Sequence, residues 1–178
     1  GCFDNISHQW LEENIPMDAK ILKQFMKCGY VYDNELYPTT DGTPQGGIIS
    51  PTLANMTLDG MENLIKQKYW SNTKGTISVK NNEKKVHLIK YADDFIVTAS
   101  DRETLKDIKE MLKIFLGKRG LILSEEKTKL TSIHEGFDFL GWNFRKYNGK
   151  LIIKPSNKSI RKIRKTISEV IKGNKTST

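Results

Sequence analysis

The sequence has little cysteine and no long apolar run. Its 178 residues include two cysteines, Cys2 and Cys28, which are too few to indicate a disulfide framework or a zinc site. No apolar stretch approaches the roughly 18 residues that a membrane-spanning helix needs, and there is no signal-peptide pattern. We therefore expect no membrane partner and a reducing compartment.

Acidic residues are outnumbered by basic ones, 21 to 29, which gives a formal net charge of +8. The excess is clustered: residues 154–178 hold eight Lys or Arg and one Glu, and residues 66–90 hold seven Lys and one Glu. Such clusters indicate a polyanionic partner, most often nucleic acid. The alternative is a solvated basic surface without a specific partner.

The length allows one domain with a hydrophobic core, or one lobe of a larger protein. The sequence contains no internal repeats and opens on Gly1 rather than on Met. Its polar last residues, 173–178, predict a disordered tail. We expect the chain to be a piece of a longer protein.

Capping residues and apolar periodicity predict most of the helices. Ser7, Asp18 and Asp101 are each followed by a helical pattern and are candidate N-caps. Ser50, placed before a proline, is a candidate N-cap for a helix that should run to about Lys68.

Alternating apolar residues and turn signals predict the strands. Residues 30–38 read as a short hairpin, and residues 86–100 as two strands that meet at a pair of aspartates. Residues 121–124 predict a short strand. Residues 137–155 predict a hairpin with Asn148-Gly149 as its type I′ turn.

Two segments are defined by their basic charge. Residues 69–85 lack periodicity and predict a loop or a small hairpin insertion, while residues 159–172 predict a basic amphipathic helix. A linker is expected near Pro155, between the last hairpin and this helix. The mixture of helices and antiparallel hairpins predicts an α+β fold.

Asp93 and Asp94 are adjacent carboxylates between two apolar, strand-like runs. The pair lacks the Gly or Asn that a tight two-residue turn prefers, so ordinary turn chemistry explains it poorly. Two such carboxylates repel each other unless a divalent cation binds, and Mg²⁺ fits because it combines few carboxylates with water and phosphate oxygens. The functional interpretation is a two-metal phosphoryl-transfer site, and the alternative is a solvated Asp-Asp turn.

Five motifs in chain order resemble those of reverse transcriptases. They are GCFDNISH (1–8), GTPQGGIISPTLANMTLDGME (42–62), YADD (91–94), GLILSEEKTKL (120–130) and GFDFLGWNF (136–144). The segments TPQGGIISP and FLGW are more similar to the reverse transcriptases of group II introns, also called intron-encoded maturases, than to retron or retroviral enzymes.

The resemblance implies catalytic roles for three residues. Asp93 and Asp94 match two of the family's three catalytic aspartates and would hold Mg²⁺, with Mn²⁺ as an allowed substitute. Lys127 matches a lysine that acts as a general acid for pyrophosphate, and Lys129 is its local rival. The family's remaining aspartate would lie three positions before Gly1, so we expect the 178 residues alone to be inactive.

The resemblance also implies binding residues, each with a purely structural alternative in a core, a turn or a solvated surface. The nucleotide-binding residues are Phe3, Gln45, Gly46, Tyr91 and Ala92. The primer-grip residues are Leu140, Gly141 and Trp142. The basic residues expected to contact RNA are Lys84, Lys85, Arg161, Lys162, Arg164 and Lys165.

The function implied is that of an RNA-directed DNA polymerase of a group II intron whose parent protein also assists splicing. Its partners would be the intron RNA, an RNA template with a DNA primer, and dNTPs, in the bacterial cytoplasm or in an organelle. Residues 1–155 would form the polymerase palm and 156–172 the start of the thumb, with self-association through uncovered surfaces. The alternative is an intron RNA-binding splicing factor without polymerase activity.

Overall fold

The computed structural model describes residues 5–33, 35–37, 42 and 49–174. These residues form two compact units, Gly1–Thr128 and Lys129–Thr178. Both units combine helices with antiparallel strands, which confirms the predicted α+β class. None of the helices in the described ranges is long and apolar enough to cross a membrane.

The described part of the first unit includes five α-helices, two hairpins and a 3₁₀ turn. The helices are α1 (His8–Asn14), α2 (Ala19–Lys27), α3 (Ser50–Thr57), α4 (Met61–Tyr69) and α5 (Arg102–Gly117). The hairpins are β1 (Tyr30–Tyr32) with β2 (Glu35–Tyr37), and β3 (His87–Tyr91) with β4 (Asp94–Thr98). The 3₁₀ turn, Val79–Asn81, lies in the segment that was predicted as a loop or small insertion.

The predicted N-caps of α1, α2 and α5 are confirmed. The Ser7 hydroxyl accepts a hydrogen bond from the Trp10 amide, the Asp18 carboxylate accepts from two amides at the start of α2, and Asp101 accepts from the Thr104 amide. Each bond satisfies one of the amide groups that a helix leaves unpaired in its first turn.

The long helix predicted from Ser50 to Lys68 is wrong in two respects. Ser50 is already inside α3, the N-cap is Ile49, and no side chain among the described residues caps this helix. The helix then breaks before α4 at Gly60, whose φ of 83° is a left-handed conformation that glycine adopts without steric cost. The break lets α3 and α4 present separate apolar faces to one core.

The hydrophobic core of the first unit joins all five helices to the β3–β4 hairpin. Its most buried side chains include Leu11 of α1, Leu22 of α2, Leu53 of α3, Ile65 of α4 and Ile108 of α5. Three hairpin residues, Leu88, Phe95 and Val97, pack against this cluster from one face of the two strands.

The short strand predicted for residues 121–124 is wrong. Leu121 is buried and Leu123 packs against the core, whereas Ile122 is 87% exposed, so the alternation that suggested a strand is real. No neighbouring strand among the described residues pairs with this segment, and it remains an extended, irregular connection.

The second unit is a three-stranded sheet followed by a helix. Its elements are β5 (Phe137–Phe139), β6 (Trp142–Tyr147), β7 (Lys150–Pro155) and α6 (Asn157–Gly173). The Asn148-Gly149 turn is confirmed, with φ values of 43° and 83°. At the expected linker, Ser156 is buried, caps α6 through the Ser159 amide, and donates its own amide to the Gly141 carbonyl.

Candidate functional site: an acidic hairpin

The β3–β4 hairpin places the aspartate pair at its tip. Tyr91 pairs with Asp94 in the ladder, so Ala92 and Asp93 are the two residues of the turn and Asp94 is the first residue of β4. The sequence predicts strands that meet at the two aspartates, and the register shows that the turn lies one residue closer to the N-terminus.

Ala92 makes this tight turn without glycine or asparagine. Its φ is 52°, in the left-handed region that a residue with a Cβ rarely occupies. Such a conformation costs about 1–2 kcal/mol and persists only where the surrounding structure enforces it. Strained backbone of this kind is concentrated at functional sites, which favours the functional interpretation of the aspartate pair over a solvated turn.

The two faces of the hairpin differ in their surroundings. Directly opposite residues share a face, so the pairs formed by Leu88 with Val97 and by Lys90 with Phe95 lie on the side of the core. Tyr91 and Asp94 lie on the other face. Tyr91 is 65% exposed, so this face is open beside the aspartates.

The side chains of Asp93 and Asp94 are both exposed and have no hydrogen bond or ion pair recorded within the described part of the chain. Some other carboxylates of the first unit are compensated: Asp101 bonds Lys84 at 3.1 Å, and Asp107 bonds Lys68 at 2.5 Å and the Tyr69 hydroxyl. Two adjacent uncompensated carboxylates fit a hard divalent cation, which would remove their mutual repulsion.

The pair is an incomplete metal site by itself. Within residues 5–33, 35–37, 42 and 49–174, no three Asp, Glu, His or Cys side chains are grouped so that they could hold a metal ion. Two carboxylates are compatible with Mg²⁺, because this ion keeps several water or phosphate oxygens in its shell. Further ligands would therefore come from water, from a substrate phosphate, or from outside the described residues.

The base of the hairpin is held by residues that sequence reasoning missed. The Asn82 side chain accepts a hydrogen bond from the Val86 amide at 2.8 Å and donates to the Val86 carbonyl at 3.0 Å, as a strand neighbour would. Trp70 Nε1 donates to the same carbonyl at 2.8 Å, and its ring packs edge-on against His87. Trp70 is a tryptophan in an otherwise polar, basic segment, and this was the sequence signal that could have indicated its structural role.

The two lysines predicted to bind RNA near this hairpin differ in their partners. Lys84 forms an ion pair with Asp101. Hydrogen bonds to the Asp101 carboxylate lower its pKa; the largest effect comes from the Thr104 amide, and the bond from Lys84 adds to it. Lys85 is exposed and has a left-handed φ of 52°. Because Lys84 is paired with Asp101, Lys85 is the more available of the two for a phosphate.

Lys127 lies in a turn at residues 125–127 that follows the irregular connection after α5. Its side chain is exposed. Glu125 at the start of this turn is held by Lys109 and Lys113 of α5, and these two bonds lower the pKa of Glu125 to about 2. Lys129 is also exposed and belongs to the second unit.

The predicted nucleotide-binding residues Phe3, Gln45 and Gly46 lie outside the described residues. The nearest described position, Gly42, is buried, and its carbonyl oxygen is 2.5 Å from His8 Nε2. Tyr91 and Ala92 are brought together with the aspartates in the hairpin turn.

The predicted primer-grip residues form a second hairpin turn, in the second unit. Leu140 and Gly141 occupy the turn with φ values of 48° and 83°, and Trp142 opens β6 with 49% of its surface exposed. The Gly141 carbonyl accepts hydrogen bonds from the Ser156 amide and the Ser159 hydroxyl. This turn is therefore tied directly to the start of α6.

The basic residues of α6 are exposed along the helix. They include the four predicted to contact RNA, Arg161, Lys162, Arg164 and Lys165. Lys165 approaches Glu169 at 3.8 Å, which at an exposed position is a weak pair. The apolar side of the same helix is also open, with Ile163 and Ile167 each more than half exposed.

An α+β unit whose helical core supports a strained hairpin tipped with two uncompensated carboxylates defines a polymerase-palm class of protein. Residues 1–144 match the family model described as reverse transcriptase (RNA-dependent DNA polymerase). The chain belongs to this reverse transcriptase family, which confirms the resemblance identified from its motifs.

The relatives of the chain include intron-encoded proteins. It is 30% identical to the group II intron-encoded protein LtrA of Lactococcus lactis subsp. cremoris, in an alignment of 200 positions that covers 82% of this chain and 33% of LtrA. It is 27% identical to protein YkfC of Escherichia coli K12, over 78% of this chain and 43% of YkfC. A 91 kDa protein in the cob intron of Schizosaccharomyces pombe is also 27% identical, over 80% of this chain and 24% of that protein. The chain thus spans about a third of the length of LtrA.

Proposed function

We propose that the protein carrying this chain is an RNA-directed DNA polymerase of a group II intron. The observation that carries the proposal is the uncompensated Asp93–Asp94 pair on a strained turn, within a chain that belongs to the reverse transcriptase family. Its substrates are an RNA template, a DNA primer and dNTPs. Its location is the bacterial cytoplasm, with an organelle as the alternative.

Asp93 and Asp94 would hold Mg²⁺, or Mn²⁺ in its place, through their carboxylate oxygens. When bound, the metal supplies activation of the primer 3′-oxygen and stabilisation of charge on the pyrophosphate. Tyr91 shares the face of Asp94 and offers its exposed ring to the primer end. Lys127 holds a proton at Nζ that it donates to the departing pyrophosphate.

Phe3, Gln45 and Gly46 would bind the incoming nucleotide. The bulk of Phe3 against the sugar selects a dNTP by disfavouring a 2′-hydroxyl. Leu140, Gly141 and Trp142 position the primer backbone. In this proposal residues 1–155 form the palm and 156–172 the start of the thumb.

A second role for the parent protein is binding of its intron RNA during splicing. The basic side chains of α6 support it, because Arg161, Lys162 and Arg164 are exposed and have no acidic partner recorded among the described residues. Lys84, Lys85 and Lys165 would add phosphate contacts. Such contacts bind RNA with strong salt dependence and little sequence reading.

Primer extension with Mg²⁺ and dNTPs on an RNA template tests the polymerase proposal. The chain is assayed alone and with an upstream extension that completes the first motif. Each form is tested with and without the substitution Asp93→Asn. We expect the extended form to add nucleotides and Asp93→Asn to abolish the addition. The matched control is Asp59→Asn, since Asp59 is also exposed and has no recorded side-chain partner among the described residues.

Two other outcomes would change the proposal. If the extended form is silent but binds RNA in a salt-dependent manner that Asp93→Asn leaves unchanged, the splicing-factor role is the better account. Full activity of Asp93→Asn would refute the assignment of the hairpin as the catalytic site. Activity of the 178 residues alone would refute the expectation that they lack a needed carboxylate.

Self-association is a further part of the proposal. Leu151, Ile153, Ile163 and Ile167 of the second unit are each more than half exposed, and apolar surfaces of this kind favour association. Sedimentation velocity over a range of concentrations should show dimers. A monomer mass that does not change with concentration would count against it.

A further inference from the structure

The connection that carries Lys127 lacks regular structure, so its position depends on individual attachments. At its start, the Leu121 amide donates to the Leu116 carbonyl at 3.0 Å and the Leu121 side chain is buried. Leu123 packs against the core. Between Leu123 and Lys127 the chain has no apolar side chain that packs into the core. An ionic contact holds this part of the connection instead.

That contact, called the Glu125 fork below, is a double ion pair in which two lysines of α5 bind the Glu125 carboxylate. Lys109 Nζ lies 2.6 Å from one carboxylate oxygen of Glu125, and Lys113 Nζ lies 2.8 Å from the other. The two lysines are one turn apart on α5 and therefore share a face of that helix. Lys109 is the less exposed, at 21% of its side chain, and Lys113 also pairs with Glu110 at 3.1 Å.

The turn beyond Glu125 is closed by one backbone hydrogen bond. The Thr128 amide donates to the Ser124 carbonyl at 2.9 Å, and this bond spans Glu125, Glu126 and Lys127. Lys127 is exposed and has no acidic partner recorded in the part of the chain that the structure describes. Its backbone is thus constrained from both sides while its side chain stays free to reach a ligand.

We propose that Glu125 is a positioning residue: its double ion pair with Lys109 and Lys113 holds the turn that presents Lys127 to the reacting nucleotide. The inference rests on the proposed polymerase function, in which Lys127 donates a proton to pyrophosphate. A fixed turn matters there because a small displacement of a catalytic group lowers the rate of the chemical step.

Glu125→Gln removes the charge and keeps the size of the side chain. In the active, upstream-extended enzyme we expect the maximal rate of nucleotide addition to fall about threefold or more, with little change in the affinity for primer–template. The matched control is Glu126→Gln, because Glu126 is adjacent, exposed and without a recorded partner among the described residues. It should leave the rate unchanged.

The dependence on Lys127 separates positioning from a general structural effect. In a Lys127→Met background, Glu125→Gln should cause no further loss of rate, because the group it positions is gone. The double substitution Lys109→Gln with Lys113→Gln should reproduce the loss caused by Glu125→Gln. An equal loss in the presence and absence of Lys127 would overturn the proposal.

Hydrogen exchange gives a readout that needs no activity. Glu125→Gln should reduce the protection of the Thr128 amide about threefold, and Glu126→Gln should not. Unchanged protection would overturn the proposal, as would reduced protection with an unchanged rate of addition. Asp93→Asn in the same rate assay tests the proposed polymerase function itself. A failure of that function is therefore distinguished from a failure of the positioning role of Glu125.

Discussion

Gly120 lies where the chain leaves α5 and passes close to the segment that enters α1. Its φ is 75°, and a Cβ built on it would lie 2.6 Å from the Asn5 carbonyl oxygen and 2.8 Å from the Ser7 amide nitrogen. Both neighbours are backbone atoms and cannot rotate away. Gly120→Ala must therefore either strain the backbone or push the two segments apart.

The expected cost combines three contributions. A left-handed alanine costs about 1 kcal/mol. Separating the segments would break the hydrogen bond from the Ser7 amide to the Arg119 carbonyl, 2.9 Å long, at about 1 kcal/mol. Displacing Ser7 would also weaken its cap on α1, at about 1 kcal/mol. We expect Gly120→Ala to lower the free energy of unfolding by about 3 kcal/mol.

Gly75→Ala is the matched control. Gly75 has nearly the same φ, 78°, but a Cβ there would meet no heavy atom within 4 Å. Gly75→Ala should lower the free energy of unfolding by about 1 kcal/mol, from the left-handed conformation alone. Urea unfolding followed by tryptophan fluorescence and by circular dichroism measures both values. Losses equal to within about 0.5 kcal/mol would refute the argument that contact with the backbone of the α1 segment requires glycine.

Two further predictions concern the hairpin turn and the Glu125 fork. Ala92→Val should lower the free energy of unfolding by about 1–2 kcal/mol, because a β-branched residue fits a φ of 52° poorly, whereas Ala92→Gly should raise it by up to about 1 kcal/mol in the same urea assay, because glycine adopts this φ without steric cost. The pKa of Glu125 is lowered to about 2 by Lys109 and Lys113, so its stabilising effect is present above the ordinary glutamate pKa of 4.5 and is lost as the pH falls toward 2. The melting temperatures of wild type and Glu125→Gln should therefore differ at pH 6 and converge near pH 2; a difference independent of pH would contradict the ion-pair account.

The elements that the sequence predicted well are those governed by local chemistry. The caps at Ser7, Asp18 and Asp101 bond to amides two or three residues away, so residue type and spacing suffice to find them. The Asn148-Gly149 turn follows from the ease with which these two residues adopt positive φ.

The elements that were predicted wrongly depend on neighbours distant in sequence. Residues 121–124 have the alternation of a strand, but only a pairing partner makes a strand, and no such partner is among the described residues. The helix after Ser50 breaks at Gly60, and a single glycine in an apolar helical pattern is compatible with either a continuous or a broken helix.

The candidate site shows the same division. The sequence by itself determined that two carboxylates stand adjacent between strand-forming runs and that the chain carries reverse transcriptase motifs, because both are properties of residue order. Only the tertiary structure decided that Ala92 takes the strained position, that Asn82 and Trp70 hold the base of the hairpin, and that two lysines of α5 hold Glu125. These contacts join residues that the fold brings together, and no local pattern of residue types encodes such distances.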